Sequence, residues 1–422
     1  MKPVEAEKQK QIFEDACLYD VIIVGAGAAG LMCAASPAWR AGGKRLILES
    51  GKRPGLKLLM SGGGHCNITH EGSMRDLLPA YGPAGKTLRA CLYKYGNLDS
   101  KAFLERAGVP LYADETGRVL PVSMKAQDVL DAYLAAVQKN GFAFRYGQKV
   151  HAVSVSLCGG TFDGNTQNIQ EETYCIHTES QVFRCRTLIL ATGGCSYPAT
   201  GSDGSMFRTL QRDLAVAVTP LAPALVPVIP EAYPYADLAG ITLPRVRVSI
   251  HREGRKSIHK EGALLFTHTS FSGPCALDIS GHAVPGSRIA LNYLYPMAFD
   301  EAYAAVRAQG MRTGKAVAEA FSLPKRLASL LVQRAADSPK KLARLLTEDT
   351  FPVAGTEGFR TAMVTKGGVC LSEVDSKTMA LKNHSQIYVI GEALDADGIS
   401  GGYNLQLCWS TAQAAAYAAA ED

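Results

Sequence analysis

The sequence lacks an apolar run long enough to cross a lipid bilayer. No stretch approaches the ~20 consecutive apolar residues that a membrane-spanning helix requires. The first 18 residues are charged and contain no apolar core of the kind found in signal peptides. We therefore expect a cytoplasmic protein with neither a membrane anchor nor a membrane partner.

The eleven cysteines lack the spacings that disulfide frameworks and zinc sites use. Their number is odd, and no CxxC or CxxxxC pair is present. This pattern argues against structural disulfides, a zinc site and the dithiol centre of a disulfide-reducing flavoenzyme. A reducing compartment and no bound metal are the corresponding expectations.

Neither acidic nor basic residues are present in large excess. The 422 residues are 47% hydrophobic and 20% charged, with a net charge of +5, which is typical of a globular protein of two or three domains. Dispersed Lys and Arg account for the positive excess, so no nucleic-acid partner is expected. An anionic substrate or a nucleic acid is the open alternative. Composition does not indicate an oligomeric state.

The first recognisable motif is a glycine-rich turn between a strand and a helix. Residues 20–24 form a short β-branched run that ends directly in Gly25-x-Gly27-x-x-Gly30. Gly25 permits the turn, Gly27 lets the backbone approach a pyrophosphate, and Gly30 lets the helix pack on the strand. The N-terminus of the helix then offers free N–H groups to the anion.

An acidic residue at the end of the next strand supports this interpretation. The strand Arg45–Leu48 is followed by Glu49, 24 residues after Gly25. A carboxylate at this distance suits the hydroxyls of a ribose. Strand, glycines and acid together predict a dinucleotide site, which the glycines alone would support only weakly.

The helix that follows the motif is predicted to span Ala28–Arg40 with a kink at Pro37. A proline inside a helix removes one N–H donor and clashes with the carbonyl of the residue four positions earlier, here Cys33. The cost is ~3 kcal/mol unless the helix bends.

The C-terminal region resembles the second half of a flavin site. Strand 387–390 leads into Gly391-Glu392, and Gly401-Gly402 precedes a helix that starts near Tyr403. Glu392, with Asp395 or Asp397, can accept hydrogen bonds from ribityl hydroxyls. The glycines allow close approach to a flat ring, and a helix N-terminus favours the negative charge of a reduced flavin. A nicotinamide-only enzyme would need the first motif alone, so the pairing predicts FAD.

The chain between the two glycine motifs contains both β-rich and helical segments. Residues 142–184 predict a small antiparallel sheet that ends in the buried strand Thr187–Leu190, followed by Ala191-Thr192-Gly193-Gly194. Proline-punctuated β segments follow from Thr219, and residues 299–346 predict several short helices with breaks at Gly310 and Pro324. A second strand–GxGxxG–helix unit is absent, so NAD(P)H would have to reach the flavin through the substrate cleft.

Several motifs in one order resemble the BaiN-like FAD-dependent oxidoreductases, a family that includes a bile acid reductase and aminoacetone oxidase. The motifs span positions 20 to 410, and they are Ser61–Asn67, Ala191–Pro198, Leu264–Thr269 with Ser272–Pro274, Val364–Val369, Gly391–Glu392 and Gly401–Gln406. The resemblance implies an α/β fold with a discontinuous Rossmann-type FAD-binding domain. An inserted β-barrel domain would carry a small helical domain. The expected boundaries are 1–197, 198–296, 297–346, 347–360 and 361–422.

The motifs and the resemblance together predict the contacts to FAD, with Val150 acting through its backbone near adenine and the glycine-dense loop wrapping the isoalloxazine. The predicted cofactor-binding residues are Gly25, Ala26, Gly27, Ala28, Ala29, Gly30, Glu49, Ser50, Lys57, Ser61, Gly62, Gly63, Gly64, Asn67, Val150, Ala191, Thr192, Gly193, Gly194, Gly391, Glu392, Asp397, Gly402, Tyr403, Asn404 and Leu405.

Two positions depart from the family pattern. His65 stands where members commonly have arginine, and Met124 stands where an acid is usual. Both can lie near the substrate, so the departures put the transfer of one member's chemistry in doubt and leave the FAD assignment intact.

Three functions are compatible with this sequence. The leading hypothesis is NAD(P)H-dependent reduction of C=C bonds conjugated to the 3-oxo group of a steroid acid or its thioester, such as a bile acid. The alternatives are a flavin oxidase of a small amine such as aminoacetone, and a non-catalytic FAD-bound binding or sensing protein, which the positive charge would allow to associate with RNA. Enone reduction needs hydride, carbonyl polarisation and a proton donor. The candidate catalytic residues are Tyr197, His65, His268 and Tyr403.

Overall fold

The structure is a computed structural model, and it describes residues 17–158, 171–308 and 310–421. The N-terminal stretch 1–16 and part of the predicted small sheet therefore lie outside the described residues. The described chain divides into two compact units. Unit 1 ends at Leu221 and resumes at Val364, and unit 2 is Ala222–Met363.

The strands and helices are numbered in chain order. The strands are β1 Leu18–Val24, β2 Arg45–Leu48, β3 Thr69–His70, β4 Leu111–Ala113, β5 Arg118–Pro121, β6 Phe142–Arg145, β7 Val150–Cys158, β8 Glu171–Thr178, β9 Val182–Leu190, β10 Val218–Ala224, β11 Val228–Pro230, β12 Thr242–His251, β13 Ile258–Phe266, β14 Phe271–Ser272, β15 Arg288–Asn292, β16 Asp349–Thr356, β17 Val364–Val369, β18 Ala380–Leu381 and β19 His384–Val389. The helices are α1 Ala28–Ala34, α2 Leu56–Met60, α3 Met74–Leu77, α4 Gly82–Thr87, α5 Arg89–Lys94, α6 Asn97–Arg106, α7 Ala126–Lys139, α8 Ser205–Leu214, α9 Pro274–Ile279, α10 Phe299–Ala308, α11 Gly314–Phe321, α12 Lys325–Ala335, α13 Pro339–Thr347 and α14 Tyr403–Glu421. Short 3₁₀ turns lie at Ser61–Gly64, Leu78–Tyr81, Pro198–Thr200, Ala236–Leu238, Ser280–His282 and Gly391–Ala393.

The core of unit 1 is a mixed sheet in the order β18-β19-β9-β1-β2-β6. Pairing is parallel from β19 through β9, β1 and β2 to β6, whereas β18 pairs antiparallel at the edge. The central strands Ile22–Ile23 and Leu188–Leu190 are fully buried, as expected for a parallel sheet covered on both faces. The last strand of the chain therefore pairs next to β9, two positions from the first strand.

The first helix is shorter than the sequence predicts. α1 ends at Ala34, before Ser36 and Pro37, so the predicted helix to Arg40 with a kink at Pro37 is wrong. The residue before a proline is disfavoured in helical geometry, and ending the helix avoids the clash at no cost in strain. Ser36 instead donates a hydrogen bond to Gln413 of α14 at 2.8 Å.

The predicted small antiparallel sheet is confirmed for β7, β8 and β9, which pair antiparallel in that order. It does not include β6, which pairs parallel with β2 after the crossover helix α7. Helix α8 packs on β7: Thr209 Oγ1 donates to the carbonyl of His151 at 3.2 Å, and Asp213 accepts from the backbone of Val153 at 2.9 Å. Residues 198–221 therefore belong to unit 1, and the first division falls later along the chain than position 197.

Unit 2 contains a closed barrel in the order β11-β14-β13-β12-β15-β16. The helices α10 to α13 lie between β15 and β16 in the chain, as the breaks at Gly310 and Pro324 predict. Among the described residues, no helix has the length and apolar character needed to cross a membrane.

A buried polar cluster joins α12 to the barrel strand β16. Asp349 is 1% exposed and accepts two hydrogen bonds from Arg334, each 2.8 Å long. The hydroxyl of Tyr235 also donates to Asp349, and that of Tyr293 does so at 3.0 Å. This carboxylate stabilises the junction because removing it would leave the half-buried guanidinium of Arg334 and the buried hydroxyl of Tyr235 without their carboxylate acceptor.

We predict that Asp349→Ala lowers the free energy of unfolding by about 3–5 kcal/mol, the usual cost of leaving one partner of a buried ion pair alone. Urea unfolding followed by far-UV circular dichroism measures this change. The matched control is Arg344→Ala, whose pair with Glu348 is 3.8 Å long and exposed. It should change stability by about 1 kcal/mol or less. Equal effects of the two substitutions would contradict the assignment.

Candidate cofactor site

The carboxyl ends of four parallel strands of unit 1 lie in one row. In the register of the sheet, Val24 pairs with Leu48 on one side and with Leu190 on the other, and Leu190 pairs with Val389. The residues that follow each strand therefore meet at the same edge of the sheet. Ligands of open α/β sheets bind at this edge.

The glycine motif is tightly packed at two positions and open at the third. A Cβ on Gly30 would lie 1.9 Å from the carbonyl oxygen of Gly25, and one on Gly25 would lie 2.4 Å from the carbonyl oxygen of Ala191. Gly25 also has a φ of +104°, which favours glycine. Nothing lies within 4 Å of the Cβ position of Gly27. The open position is the one expected to face a pyrophosphate.

Glu49 is a buried carboxylate fixed beside this turn. It is 8% exposed, and its Oε2 accepts a hydrogen bond from the backbone of Ala26 at 2.8 Å. Its Oε1 accepts from the backbone of Gly51 at 2.7 Å and from Ser50 Oγ at 3.3 Å. A carboxylate has about four lone-pair sites, so acceptor capacity remains for a ribose hydroxyl.

The glycine-dense loop after α2 has an unusual backbone. Gly62, Gly63 and Gly64 have φ of 57°, 68° and 93°, and the non-glycine Cys66 has φ of 59°. Successive left-handed residues turn backbone N–H groups toward one side, an arrangement that attracts electron-rich groups. The Cβ position of Gly63 has nothing within 4 Å, so this side of the loop is open.

The C-terminal half meets the N-terminal half through close contacts. A Cβ on Gly391 would lie 2.7 Å from the Cβ of Ala29, and one on Gly402 would lie 2.4 Å from the carbonyl oxygen of Thr69. With its side-chain amide oriented to satisfy both atoms, Asn67 accepts from the backbone of Gly402 at 3.1 Å. The two ends of the chain therefore form one site.

A polar network lies where β9 and β19 end. Glu392 accepts from Lys57 Nζ at 2.5 Å, from Ser196 Oγ at 2.5 Å and from the backbone of Thr365 at 2.8 Å. Lys57 also donates to Ser196 at 2.6 Å, and Thr365 Oγ1 accepts from the backbone of Cys195 at 2.7 Å. These contacts hold a charged pair in fixed geometry next to the predicted ribityl position.

Sequence reasoning did not identify three polar side chains of this region. Ser196 and Thr365 complete the network of Lys57 and Glu392, and both lie inside motifs that carried the family resemblance. Ser202 has a buried hydroxyl without a hydrogen-bond partner in the structure, and a Cβ on Gly193 would lie 2.5 Å from it. An unpartnered buried hydroxyl beside a glycine turn indicates a missing polar ligand.

The candidate catalytic residues differ in their surroundings. The exposed His65 makes a 2.8 Å hydrogen bond through Nδ1 with the carbonyl of Met124, so the two positions that depart from the family pattern contact each other. Tyr403 stacks on His70 with ring centroids 5.0 Å apart. Tyr197 is half-buried and has a strained φ of 52°. His268 belongs to unit 2, in the turn before β14.

The remaining predicted residues take several positions. Asn404 bonds back to the loop before it, accepting from the backbone of Gly398 at 2.8 Å and donating to its carbonyl at 2.9 Å. Val150 is buried at the start of β7. A Cβ on Gly194 would lie 2.3 Å from Thr365 Oγ1, so this glycine makes room for the polar network.

Cysteine chemistry is not favoured at this site. Burial raises the pKa of Cys66 and of Cys408 to about 12, and burial also raises the pKa of Cys195. A thiol with a raised pKa remains protonated at neutral pH and is a poor nucleophile. The described part of the chain contains no group of three His, Cys, Asp or Glu side chains that could hold a metal ion.

These residues fit FAD. The open N-terminus of α1 at Gly27 suits a pyrophosphate, the fixed carboxylate of Glu49 suits a ribose, and the unpartnered hydroxyl of Ser202 is available to a polar ligand. The open glycine-dense loop suits a flat ring. Fold and site define an FAD-binding flavoprotein of the Rossmann type.

Comparison with known protein families identifies the family to which the chain belongs. Residues 19–418 match the family described as HI0933-like protein Rossmann domain. The chain belongs to this family, which confirms the predicted resemblance, the FAD-binding fold and the broad class of FAD-dependent oxidoreductase.

Two curated relatives span nearly the whole chain. The chain is 31% identical over 416 residues to the ribosomal RNA dihydrouridine synthase of Escherichia coli strain K12, with 94% of this chain and 97% of the relative covered. It is 28% identical over 423 residues to the 3-dehydro-bile acid delta(4,6)-reductase of Clostridium scindens, with 94% and 98% covered.

These relatives overturn the function predicted from the sequence. A steroid or bile acid substrate was expected from the resemblance, but the more similar of these two relatives is named for a reaction on ribosomal RNA. The expectation that no nucleic acid is bound likewise has no support. The prediction failed because the motifs that carried the resemblance lie largely around the cofactor, which both relatives' family shares.

A solved structure agrees in fold. The 3-ketosteroid-delta4-(5alpha)-dehydrogenase from Rhodococcus jostii RHA1 aligns with a TM-score of 0.52 and 15% sequence identity, covering 97% of this chain and 98% of that chain. At this identity the likeness concerns the fold alone.

Two glycine substitutions separate cofactor binding from folding. Gly27→Ala places its Cβ in open space, so the apoprotein should keep its thermal stability. FAD affinity should fall about 10- to 100-fold, the equivalent of one charge-assisted hydrogen bond. Gly30→Ala, the matched control, forces the backbone apart and should lower the stability of the apoprotein itself. Flavin absorbance and thermal unfolding of the apoprotein measure the two effects. Full flavin loading of Gly27→Ala would contradict the pyrophosphate assignment.

The half-buried Asp397 predicts a pH effect on stability. Burial raises its pKa, opposed by Lys366 and reinforced by Asp395 and Glu392. The folded state then holds the proton more tightly than the unfolded state. Its contribution to stability is present below the ordinary Asp pKa and is lost as the pH rises through the raised pKa.

We therefore expect Asp397→Asn apoprotein to be more stable than the parent at about pH 7 and equally stable near about pH 3, below the ordinary Asp pKa, where the carboxyl is largely neutral in both states. Thermal unfolding across this pH range provides the measurement. Asp395→Asn is the control, because Asp395 accepts a 2.7 Å hydrogen bond from Thr219 and its replacement should give no gain. A pH-independent difference for Asp397→Asn would refute the assignment.

Proposed function

We propose that this protein is an FAD-dependent reductase that converts a uridine of ribosomal RNA to dihydrouridine. The observation that carries this proposal is the 31% identity to a ribosomal RNA dihydrouridine synthase over 94% of this chain and 97% of the relative. Agreement over both units, rather than over the cofactor domain alone, supports a shared substrate class.

The chemistry is compatible with the site. The C5=C6 bond of uracil is conjugated to the C4 carbonyl, so its reduction requires a hydride at C6 and a proton at C5. Bound FAD, once reduced by an external donor, would supply the hydride. The protein must hold the cofactor, orient the base and deliver the proton.

Cofactor orientation falls to residues at both ends of the chain. Lys57 and the glycine-dense loop at Ser61–Gly64 come from the N-terminal part of unit 1, and Glu392 comes from its C-terminal part. Lys57 and Glu392 form an ion pair at 2.5 Å. A cationic Lys57 near the flavin would favour the electron-rich reduced form. An external electron donor must reduce the flavin before it can transfer hydride to the base. We propose NAD(P)H as this transient donor.

The proton donor is proposed among His65, Tyr197 and Tyr403. If His65 Nδ1–H donates to the Met124 carbonyl, its Nε2 can deliver a proton only from the imidazolium form, whereas each tyrosine offers a hydroxyl as donor. A positioned acid typically contributes 10²- to 10⁴-fold to such a step. A reaction on ribosomal RNA also accords with a cytoplasmic location.

The test is an anaerobic reaction of the FAD-loaded protein with NADPH or NADH and ribosomal RNA lacking this modification. We expect one uridine per RNA molecule to gain two hydrogens, detected by mass spectrometry of nuclease fragments, together with oxidation of one nicotinamide. The control is protein freed of FAD, which should leave the RNA unchanged. Release of hydrogen peroxide from aminoacetone by a protein that leaves RNA unchanged would contradict the proposal.

A further inference from the structure

The positive charge of this protein is concentrated in one segment. Residues 299–347, which contain helices α10 to α13, have nine Lys and Arg against four Asp and Glu, a net charge of +5. The whole chain also has a net charge of +5, from 44 basic and 39 acidic residues. The rest of the chain therefore has as many acids as bases. Two acids that directly follow the segment, Glu348 and Asp349, pair with Arg344 and Arg334 of the segment.

Most of these basic side chains are exposed and available. Arg334 is half-buried in its pair with Asp349. The eight exposed residues are Arg307, Arg312, Lys315, Lys325, Arg326, Lys340, Lys341 and Arg344. Lys315 approaches Glu319 on its own helix at 4.0 Å, and Arg344 approaches Glu348, the residue after α13, at 3.8 Å. Within the part of the chain that the structure describes, no ion pair involves the other six.

Two of them line one depression in the helical part of unit 2, and two others directly follow the lining residue Pro339 in sequence. Arg307, Arg312 and Pro339 line a cavity of about 200 Å³. Lys340 and Lys341 follow Pro339 in the first turn of α13. We call Arg307, Arg312, Lys340 and Lys341 the basic face. Its residues come from three different stretches of sequence, which only the packing of the helices brings together.

At the starts of three helices the placement of charge does not stabilise the helix, whereas Arg307, Arg334 and Arg344 lie in the last turns of α10, α12 and α13, where a cation is favourable. The first turns of α11, α12 and α13 contain no acidic residue and begin instead with Lys315, with Lys325 and Arg326, and with Lys340 and Lys341. A cation near a helix N-terminus is unfavourable by roughly 0.3–1 kcal/mol. The cations in the first turns of these three helices therefore raise the local electrostatic potential and lower the stability of the helices.

We propose that the basic face binds the phosphate backbone of the ribosomal RNA substrate, an inference that rests on the proposed function for its partner. Lys and Arg bind phosphates by charge attraction and by release of the counterions around the nucleic acid. An acidic protein partner is less favoured, because protein interfaces need apolar anchors. Among the described residues of 299–347, no large hydrophobic side chain is exposed.

The test compares two variants that each lose four positive charges, with FAD bound. The basic-face variant carries Arg307→Gln, Arg312→Gln, Lys340→Gln and Lys341→Gln. The control variant carries Lys86→Gln, Lys139→Gln, Lys256→Gln and Lys377→Gln, all at exposed positions outside the segment. Binding to a transcribed ribosomal RNA fragment is measured by fluorescence anisotropy over a range of salt concentrations. Flavin content and circular dichroism establish that both variants are folded.

We expect the basic-face variant to bind RNA about 100-fold more weakly at low salt. The slope of log affinity against log salt should fall by about 3, because each lost phosphate contact removes about 0.7 for a single strand. The control should stay within about threefold of the parent. The smaller variant Lys340→Gln with Lys341→Gln should lose about tenfold, and this provides a second measurement if the fourfold variant does not fold.

Parent-like binding by the basic-face variant, or equal losses in both variants, would overturn the inference. Failure of the parent to bind the RNA fragment would overturn it together with the proposed function. Binding through the basic face without formation of dihydrouridine would support the surface and refute the proposed reaction. The two conclusions can therefore fail separately.

Discussion

The site depends on backbone contacts that leave no room for a side chain. A Cβ on Gly30 would lie 1.9 Å from the carbonyl of Gly25, and one on Gly25 would lie 2.4 Å from that of Ala191. These contacts press α1 against the turn after β1 and press that turn against the end of β9. Since β9 also pairs in parallel with β19, the same packing fixes Gly391 beside Ala29. A larger residue at any of these glycines would separate strands whose ends must stay in one row.

The residues around the cofactor do not by themselves indicate the substrate. The residues around FAD identify a family in which one relative is named for a bile acid and another for ribosomal RNA. This is physically reasonable, because a flavin makes similar demands on its protein whichever electron-poor double bond receives the hydride. Substrate choice must then be sought outside the cofactor motifs. The excess positive charge of residues 299–347 is the feature on which we base the proposed binding of an anionic polymer.

Predictions from the sequence were correct where the structure has a local cause in the neighbouring residues. The strand before Gly25, the carboxylate of Glu49 beside the turn and the antiparallel strands before Ala191 were predictable, because alternation of apolar residues and glycine turns have local causes. Reasoning failed at Pro37, where ending the helix costs less than bending it. It also failed at β6, whose parallel partner β2 lies far away in the chain.

The sequence by itself determined the family, the FAD-binding fold and the glycines on which that fold depends, since these follow from short motifs whose order along the chain is visible. Only the tertiary structure showed that Ser196 and Thr365 complete the pair of Lys57 and Glu392, and that His65 contacts Met124. It also showed that Arg307 and Arg312 line one cavity together with Pro339, the residue before Lys340. Such contacts join residues that are distant in sequence. They arise from tertiary packing, so no short sequence pattern predicts them.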